Sequence, residues 1–474
     1  MVVGEGAKDV LERGVTRGSE FRGPLRVSTK NPRYFTDDSG RAIFLGGSHT
    51  WANLIEHKVS ADEADFDYGA YLDFMAAHNH NFMRLWGWEH ARWATWDGTG
   101  RFFAYPLPYA RTGPGSALDG LPKFDLHQFE PAYFERLRSR ATAAGRRGIY
   151  VGVKLFDGFS VGFKGSGPTP AHTPDRNPYR GHPFNAANNV NGINGDPDGT
   201  GQGKAVQTLR IPEITKLHEA YIRKVVDTVD DLDNVLYEIC NESDGDQECV
   251  EWQYHMIRFL KQYESTKPKQ HLVGMTVPYP GGQNHTLFDS PADWVSPNHT
   301  AAEPYKDDPP AADGKKVVLS DTDHLWGLGG IQPWVWKSFT RGMNTLLMDP
   351  WEPLKGADLY GNNYRDHPTW EPIRRSIGHA RAYANRMDLV AMVPRGDLSS
   401  TAYCLACPGR EYLVYQPEVA RFQVNLKDGS GPFSVEWFGP STGSRKEAQP
   451  VQGGDVRSFT PPFASDAVLY LRAQ

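Results

Sequence analysis

Two apolar runs end in carboxyl groups. Val235-Leu236-Tyr237-Glu238-Ile239-Cys240 leads to Asn241-Glu242, and Val317-Val318-Leu319-Ser320 leads to Asp321-Thr322-Asp323-His324. Carboxyls delivered at strand ends are suited to paired acid and base work. Cleaving a glycosidic bond requires one carboxyl to protonate the leaving oxygen and a second to act on the anomeric carbon or on a water, ~5–5.5 Å apart for retention and ~6.5–9.5 Å for inversion. Glu242 and Asp321 fit that demand, with Asp323, on the same side of an extended chain, as the alternative second carboxyl and Glu352 or Glu303 as more distant ones. Other apolar runs end in polar and aromatic residues: Ser48-His49-Thr50-Trp51, Arg84 to Trp86, Trp88 and Glu89, Lys154 to Asp157, Tyr279, Asn298-His299, and Asp349-Pro350-Trp351-Glu352. A flat apolar ring beside carboxylates matches a sugar face and its hydroxyl rim. Trp326 and Trp351 are therefore expected as platforms, with Trp51 and Trp86 either platforms or packing. Asp157 is a candidate hydroxyl contact. His49 and His299 either reach a ligand or are satisfied core histidines, and Arg84 either supports the carboxylates or neutralises Glu238.

Eight short apolar segments would have to position these groups: 43–45, 82–86, 149–156, 235–240, 272–277, 294–296, 317–320 and 344–348. Helical stretches alternate with them. Ile214, Leu217, Tyr221, Val225 and Val229 fall at i+3 and i+4 steps behind Pro212, and a second helix after Glu242 places Trp252, Met256 and Phe259 on one face. This is the pattern of a (β/α)8 barrel, whose reactive groups gather at the C-terminal ends of the strands, so that strands four and seven face each other across the mouth. A doubly wound open sheet is the alternative. The segment from Gly158 to Arg210, rich in Gly, Asn and Pro, would overhang the mouth. After about Arg386 short strands separated by Gly and Pro predict a β-sandwich. The expected organisation is an N-terminal arm over residues 1–23, a barrel over 24–385 and a β-sandwich over 386–474.

Composition narrows the function. The chain has 474 residues, of which 39% are hydrophobic and 23% charged, so it can bury a large core. A formal net charge of −6 without a basic run argues against a nucleic-acid partner. No apolar run approaches the ~18 residues of a membrane span, and residues 1–9 lack the order of a signal peptide. A cytoplasmic location is expected for the chain as it stands, and a secreted or periplasmic one if a leader has been removed. Cys404 and Cys407 have zinc or redox spacing but lack a second pair, because Cys240 and Cys249 are far off. Residues 194–200 resemble the first half of a calcium loop, yet Ala205 stands where the bidentate Glu belongs. His324 beside Asp321 and Asp323 has no partner spaced for a metal. Neither a metal nor a cofactor is expected.

With those residues in view, Tyr237-Glu238-Ile239-Cys240-Asn241-Glu242 resembles the Asn-Glu motif at strand four of the clan A glycoside hydrolases, and Phe82-Met83-Arg84-Leu85-Trp86 resembles the Arg segment of their strand two. The resemblance implies that Glu242 is the acid/base, that Asn241 contacts the hydroxyl next to the anomeric carbon, and that Arg84 supports the carboxylates. More narrowly, Gly46-Gly47-Ser48-His49-Thr50-Trp51, Tyr403-Cys404-Leu405-Ala406 and Glu436-Trp437-Phe438 are similar to segments of apiosidase-like glycosidases, which carry a C-terminal β domain labelled collagen-binding. The departure is at strand seven, where the clan has Glu and this chain has Asp321. The expected function is hydrolysis of an oligo- or polysaccharide, retaining, with Asp321 as nucleophile and Asn241, Arg84, His49, His299 and Tyr279 orienting hydroxyls and carboxylates. The alternatives are an inverting enzyme using Asp323 and a carbohydrate-binding protein without turnover.

Overall fold

The apolar runs become one closed parallel barrel in a computed structural model of the chain, which describes residues 21–162, 164, 173–352, 355, 365 and 367–474. The expected N-terminal arm lies outside the described residues up to position 20, as do residue 163 and residues 165–172 of the long loop. The barrel strands are β1 (Gly46–His49), β2 (Phe82–Leu85), β3 (Tyr150–Asp157), β4 (Val235–Asn241), β5 (Val273–Thr276), β6 (Trp294–Ser296), β7 (Val317–Asp321) and β8 (Asn344–Met348). Each pairs with its neighbour in sequence, and β8 returns to β1. Every residue of these strands is buried, as expected where both faces of a parallel sheet are covered.

The first strand begins later than its apolar run suggests. Ala42–Ile43 instead pairs antiparallel with Phe35–Thr36 in a three-stranded sheet outside the barrel. The barrel strand starts at Gly46 because β1 and β2 approach closely: a Cβ on Gly47 would sit 1.8 Å from the Phe82 carbonyl oxygen.

The main helices are α1 (Tyr68–Ala77), α2 (Pro131–Gly145), α3 (Pro212–Val229), α4 (Gln247–Glu264), α5 (Asn284–Phe288), α6 (Gln332–Thr340) and α7 (Glu371–Arg386). Helix α3 buries the five residues its period selects and carries Pro at its start. In α4 the buried face runs through Trp252, Met256 and Leu260 in steps of four. Phe259, expected on that face, is half-buried at its flank, 4.6 Å from the Arg223 guanidinium carbon. None of the described helices is long and apolar enough to cross a membrane.

The C-terminal strands are β9 (Val393–Pro394), β10 (Cys404–Cys407), β11 (Glu411–Gln416), β12 (Phe422–Asn425), β13 (Pro432–Gly439), β14 (Ser444–Gln452), β15 (Val456–Phe459) and β16 (Ala467–Ala473). Six form an antiparallel sheet in the order β9-β10-β11-β16-β13-β14, and β12 pairs with β15. Side chains alternate between the faces of the six-stranded sheet with period two. Leu405, Leu413, Tyr415, Phe438 and Val468 join the core of the barrel, whereas Cys404, Ala406, Tyr412, Val414 and Leu469 pack against Phe422, Val424 and Phe459 of the smaller sheet. The alternation also separates Cys404 from Cys407, which belong to opposite faces and so do not form a joint metal site. Polar ties cross to the barrel: Asp466 accepts from Gln332 of α6 and from Tyr415, each at 2.9 Å. Glu436 accepts from Tyr383 at 2.6 Å and from both terminal nitrogens of Arg386 at 3.0 and 2.8 Å.

Candidate active site

The C-terminal ends of β2, β4 and β7 meet around one guanidinium. Arg84 is buried and donates through Nε to Glu238 Oε2 (2.7 Å), through Nη2 to Glu238 Oε1 and to Asn241 Oδ1 (2.7 Å), and through Nη1 to Asp321 Oδ2 (2.9 Å). The two roles anticipated for Arg84 therefore coincide. Its Nη1 also lies 3.5 Å from Asp323 Oδ2.

The two carboxyls that end strand seven have different surroundings. Asp321 is 0% exposed, and its other oxygen, Oδ1, accepts from His49 Nε2 at 3.1 Å and from the Asp323 backbone N–H at 3.0 Å. Against burial, which would raise it, His49 and Arg84 hold Asp321 well below the ordinary carboxylate range. Both oxygens are thus committed to internal donors. Asp323 sits on the short turn after β7, and its side chain keeps 10% exposure. One of its oxygens lies within 4.8 Å of a Glu242 carboxylate oxygen. The carboxyl that faces Glu242 at this distance is therefore that of Asp323, the residue expected only as the alternative.

Glu242 follows directly on β4 with φ of 49°, in the left-handed region that a side-chain-bearing residue enters at a cost of roughly 1–3 kcal/mol. Its Oε2 is buried and without a partner. Burial, opposed by Lys164 and reinforced by the charge of Asp157, pushes Glu242 up to about 7. Burial, then the charges of Glu242 and Asp321, also raise Asp323. Two carboxyls this close hold one proton between them near neutrality. Arg84 reaches Asp323, while no Lys, Arg or His nitrogen among the described residues lies within 4 Å of the Glu242 carboxylate. Arg84 thus favours the ionised form of Asp323, but burial and the facing carboxylates outweigh it and raise Asp323 as well as Glu242, so the proton belongs to the pair.

His324 completes the cluster, since one of its ring nitrogens is within 4.8 Å of both carboxylates. Asn241 Oδ1 already receives Arg84, so the 3.1 Å contact from His324 Nε2 is a donated N–H, and Nδ1 accepts from Ser296 Oγ at 2.9 Å. Neither nitrogen presents a lone pair to the cluster. Glu242, Asp323 and His324 are thus arranged for proton sharing rather than for holding a metal ion.

The remaining expected residues divide into support, packing and rim. His49 stacks on Trp86 with ring centroids 5.2 Å apart, and the Lys154 ammonium lies 3.8 Å from the Trp86 ring centroid. Asp157, expected to contact a hydroxyl, is buried and accepts from Lys154 Nζ and Ser160 Oγ, each at 2.8 Å, so it supports the wall instead. Trp51 is buried, its carbonyl accepting from the Trp88 indole at 3.1 Å. Trp351 is not a platform: at 3% exposure its ring is enclosed by Phe66, Tyr71 and Phe74 and faced by Arg365. Trp326 is half-buried with Lys306 Nζ 5.0 Å from its ring, and Tyr279 is 38% exposed. His299 is half-buried, accepting from the Lys306 backbone N–H at 3.3 Å. Glu303 accepts from Asn284 at 3.0 Å, and Glu352 lies 3.7 Å from Lys355 and 3.6 Å from Arg365. In the loop over 194–200, Arg210 grips Asp198 at 2.7 and 2.9 Å, and Thr200 and Gly201 donate to Asp196. Protein donors occupy the carboxylates a calcium ion would use.

Two groups escaped sequence reasoning: Ser296 and Lys164 carry no spacing signal. Glu89, expected at the end of strand two, is raised to about 8 by burial and accepts from the Asp157 backbone N–H at 2.7 Å.

Residues 79–280 match the family model "Domain of unknown function (DUF6298)", and residues 391–472 match "Putative collagen-binding domain of a collagenase". No curated protein matches the chain in sequence. Among solved structures, the chain is similar to a glycoside hydrolase family 5 protein from Bacteroides vulgatus, at 14% identity and a TM-score of 0.59, covering 95% of this chain and 94% of that one. A "putative glycoside hydrolase" from the same organism gives 14% identity and a TM-score of 0.62 over 97% and 84% of the two chains. Another glycoside hydrolase gives 13% and 0.58 over 96% and 97%. The apiosidase-like likeness rests on the sequence segments alone. Barrel and β module together have the fold of family 5, clan A glycoside hydrolases.

Proposed function

We propose that this chain is a retaining glycoside hydrolase in which Glu242 is the acid/base and Asp323 the nucleophile. The observation that carries the reading is the pair itself: two buried carboxyls, both raised, with oxygens within 4.8 Å, close to the ~5–5.5 Å that retention requires and too near for an interposed water. Glu242 protonates the leaving oxygen as Asp323 Oδ attacks the anomeric carbon. The resulting carboxylate of Glu242 then takes a proton from the water that releases the sugar, which restores both groups.

Asp321, the nucleophile favoured by strand position alone, has a different task in this scheme. Its charge holds Arg84 and His49, and Arg84 in turn lies beside Asp323, where it opposes the effect of burial. The oxygen of Asn241 is spent on Arg84 and His324, leaving its amide nitrogen as the group to meet a sugar hydroxyl. The substrate is a carbohydrate.

Sugar release from a panel of plant and bacterial polysaccharides and aryl glycosides tests this reading. Glu242→Gln and Asp323→Asn are each expected to lower release by ~100-fold or more, and the first product is expected to keep the anomeric configuration of the substrate. Full activity in either variant, or an inverted product, would reject the assignment.

A further inference from the structure

Glu242 is held from behind by a residue that is remote in sequence. The loop after β3 passes so close to the Glu242 turn that a Cβ on Gly158 would lie 1.9 Å from the Glu242 carbonyl oxygen. Six residues later Lys164, only 2% exposed, donates from Nζ to that same carbonyl. No carboxylate among the described residues lies within 4 Å of its ammonium, and Asp244, the carboxylate whose charge acts on it most, is paired with Lys204 at 3.2 Å. Burying an ammonium without a carboxylate partner is costly, and a surface lysine would avoid it. What the buried charge gains is one backbone carbonyl, that of the residue in the left-handed conformation.

We propose that Lys164 is a positioning residue for the acid/base: by donating to the Glu242 carbonyl it holds the left-handed turn that aims the carboxyl at Asp323. The proposal rests on the role given to Glu242 above. It has an electrostatic consequence. The groups that act on the Glu242 carboxyl are the cations Lys164, Arg84 and Lys154, the anion Asp157 and the facing pair of Asp323 and neutral His324. Those that act on Lys164 are Glu242, Asp244 and the thiols Cys240 and Cys249, which burial keeps protonated. Of the cations near Glu242, Lys164 opposes the effect of burial most strongly. Removing its charge raises the proton affinity of Glu242, whereas a lysine that does not reach the Glu242 turn would leave it unchanged when replaced.

The test is a carboxyl titration followed by NMR on the full chain labelled with 13C-glutamate, the Glu242 resonance being assigned by its loss in Glu242→Gln. Lys164→Met is expected to raise the Glu242 midpoint by about one pH unit or more, and Lys164→Arg, which keeps the charge, to stay near the wild-type value. If Lys164→Met does not fold, Lys164→Gln, which keeps a donor without the charge, is read in the same way. An unchanged midpoint in a folded, uncharged variant overturns the proposal. The readout requires no turnover, so failure of the glycosidase reading, seen as no sugar release, is distinguished from failure of this proposal, seen as an unchanged midpoint.

Discussion

The barrel mouth and the seam between the barrel and its β module both bury charge, in opposite styles. At the seam every acid has its donors: Asp466 receives Gln332, Tyr415 and Ser441, and Glu436 receives Tyr383 and Arg386, around packed rings of Trp336, Tyr383 and Phe438. At the mouth, Glu238 and Asp321 are paired in the same way, but Glu242 and Asp323 face each other, one oxygen has no partner and one residue is in the left-handed region. The seam is built for stability. The mouth retains an unpaired acid that costs stability and supplies a shiftable proton, which is what chemistry at neutral pH requires.

The contrast can be broken most severely at Arg84, the one group that belongs to both styles. Arg84→Met leaves Glu238 and Asp321 buried without their cation, and a loss of about 3–5 kcal/mol in denaturant melts is expected. If Arg84→Met melts like wild type, the mouth is not organised around that guanidinium.

Removing the unpaired acid should have the opposite effect on stability. The folded-state pKa of Glu242, about 7, lies above the ordinary glutamate value of 4.5, so the folded chain binds the proton more tightly than the unfolded one. The stabilising contribution of that proton is complete below about 4.5 and is lost as pH rises through about 7. Glu242→Gln is therefore expected to be more stable than wild type above pH 7, on the order of 1–3 kcal/mol, with the gap closing toward pH 4.5. Urea melts of the two proteins across that range check the sign. A gap that widens in acid would show that Glu242 is held ionised.

Smaller effects are expected outside the mouth. Asp466→Ala removes three donors' partner at the seam and should cost about 1–2 kcal/mol while leaving one cooperative thermal transition. Two separate transitions would mean that module and barrel fold independently. Asp198→Ala, in the loop over 194–200, and treatment with a chelator should each leave the melting temperature unchanged, because the pair with Arg210 is exposed and its carboxylate already has protein donors.

The barrel was legible because its strands are short apolar runs bounded by helices of clear period, and seven of the eight begin within one residue of their expected position. The places of Arg84, Asn241 and Glu242 at the mouth could be read because a strand end fixes where a side chain emerges. The different surroundings of Asp321 and Asp323 could not, because they turn on a short helical turn after β7 that carries the second carboxyl toward Glu242 while the first closes onto His49 and Arg84. Alternation along an extended chain would have kept both on one side. Trp351 was misread for a related reason: its proline and acidic neighbours suggested a loop, but the aromatic residues Phe66, Tyr71 and Phe74 that enclose it come from about 280 positions earlier. Lys164 left no local trace at all, since its meaning depends on a carbonyl 78 residues away.

The central claim is that Asp323 becomes covalently attached to the sugar. Once the panel has identified a substrate, its 2-fluoro glycoside with a good leaving group can be incubated with the protein and the adduct located by peptide mass spectrometry. The account predicts one added sugar on Asp323 and none on Asp321. Attachment to Asp321 would contradict it.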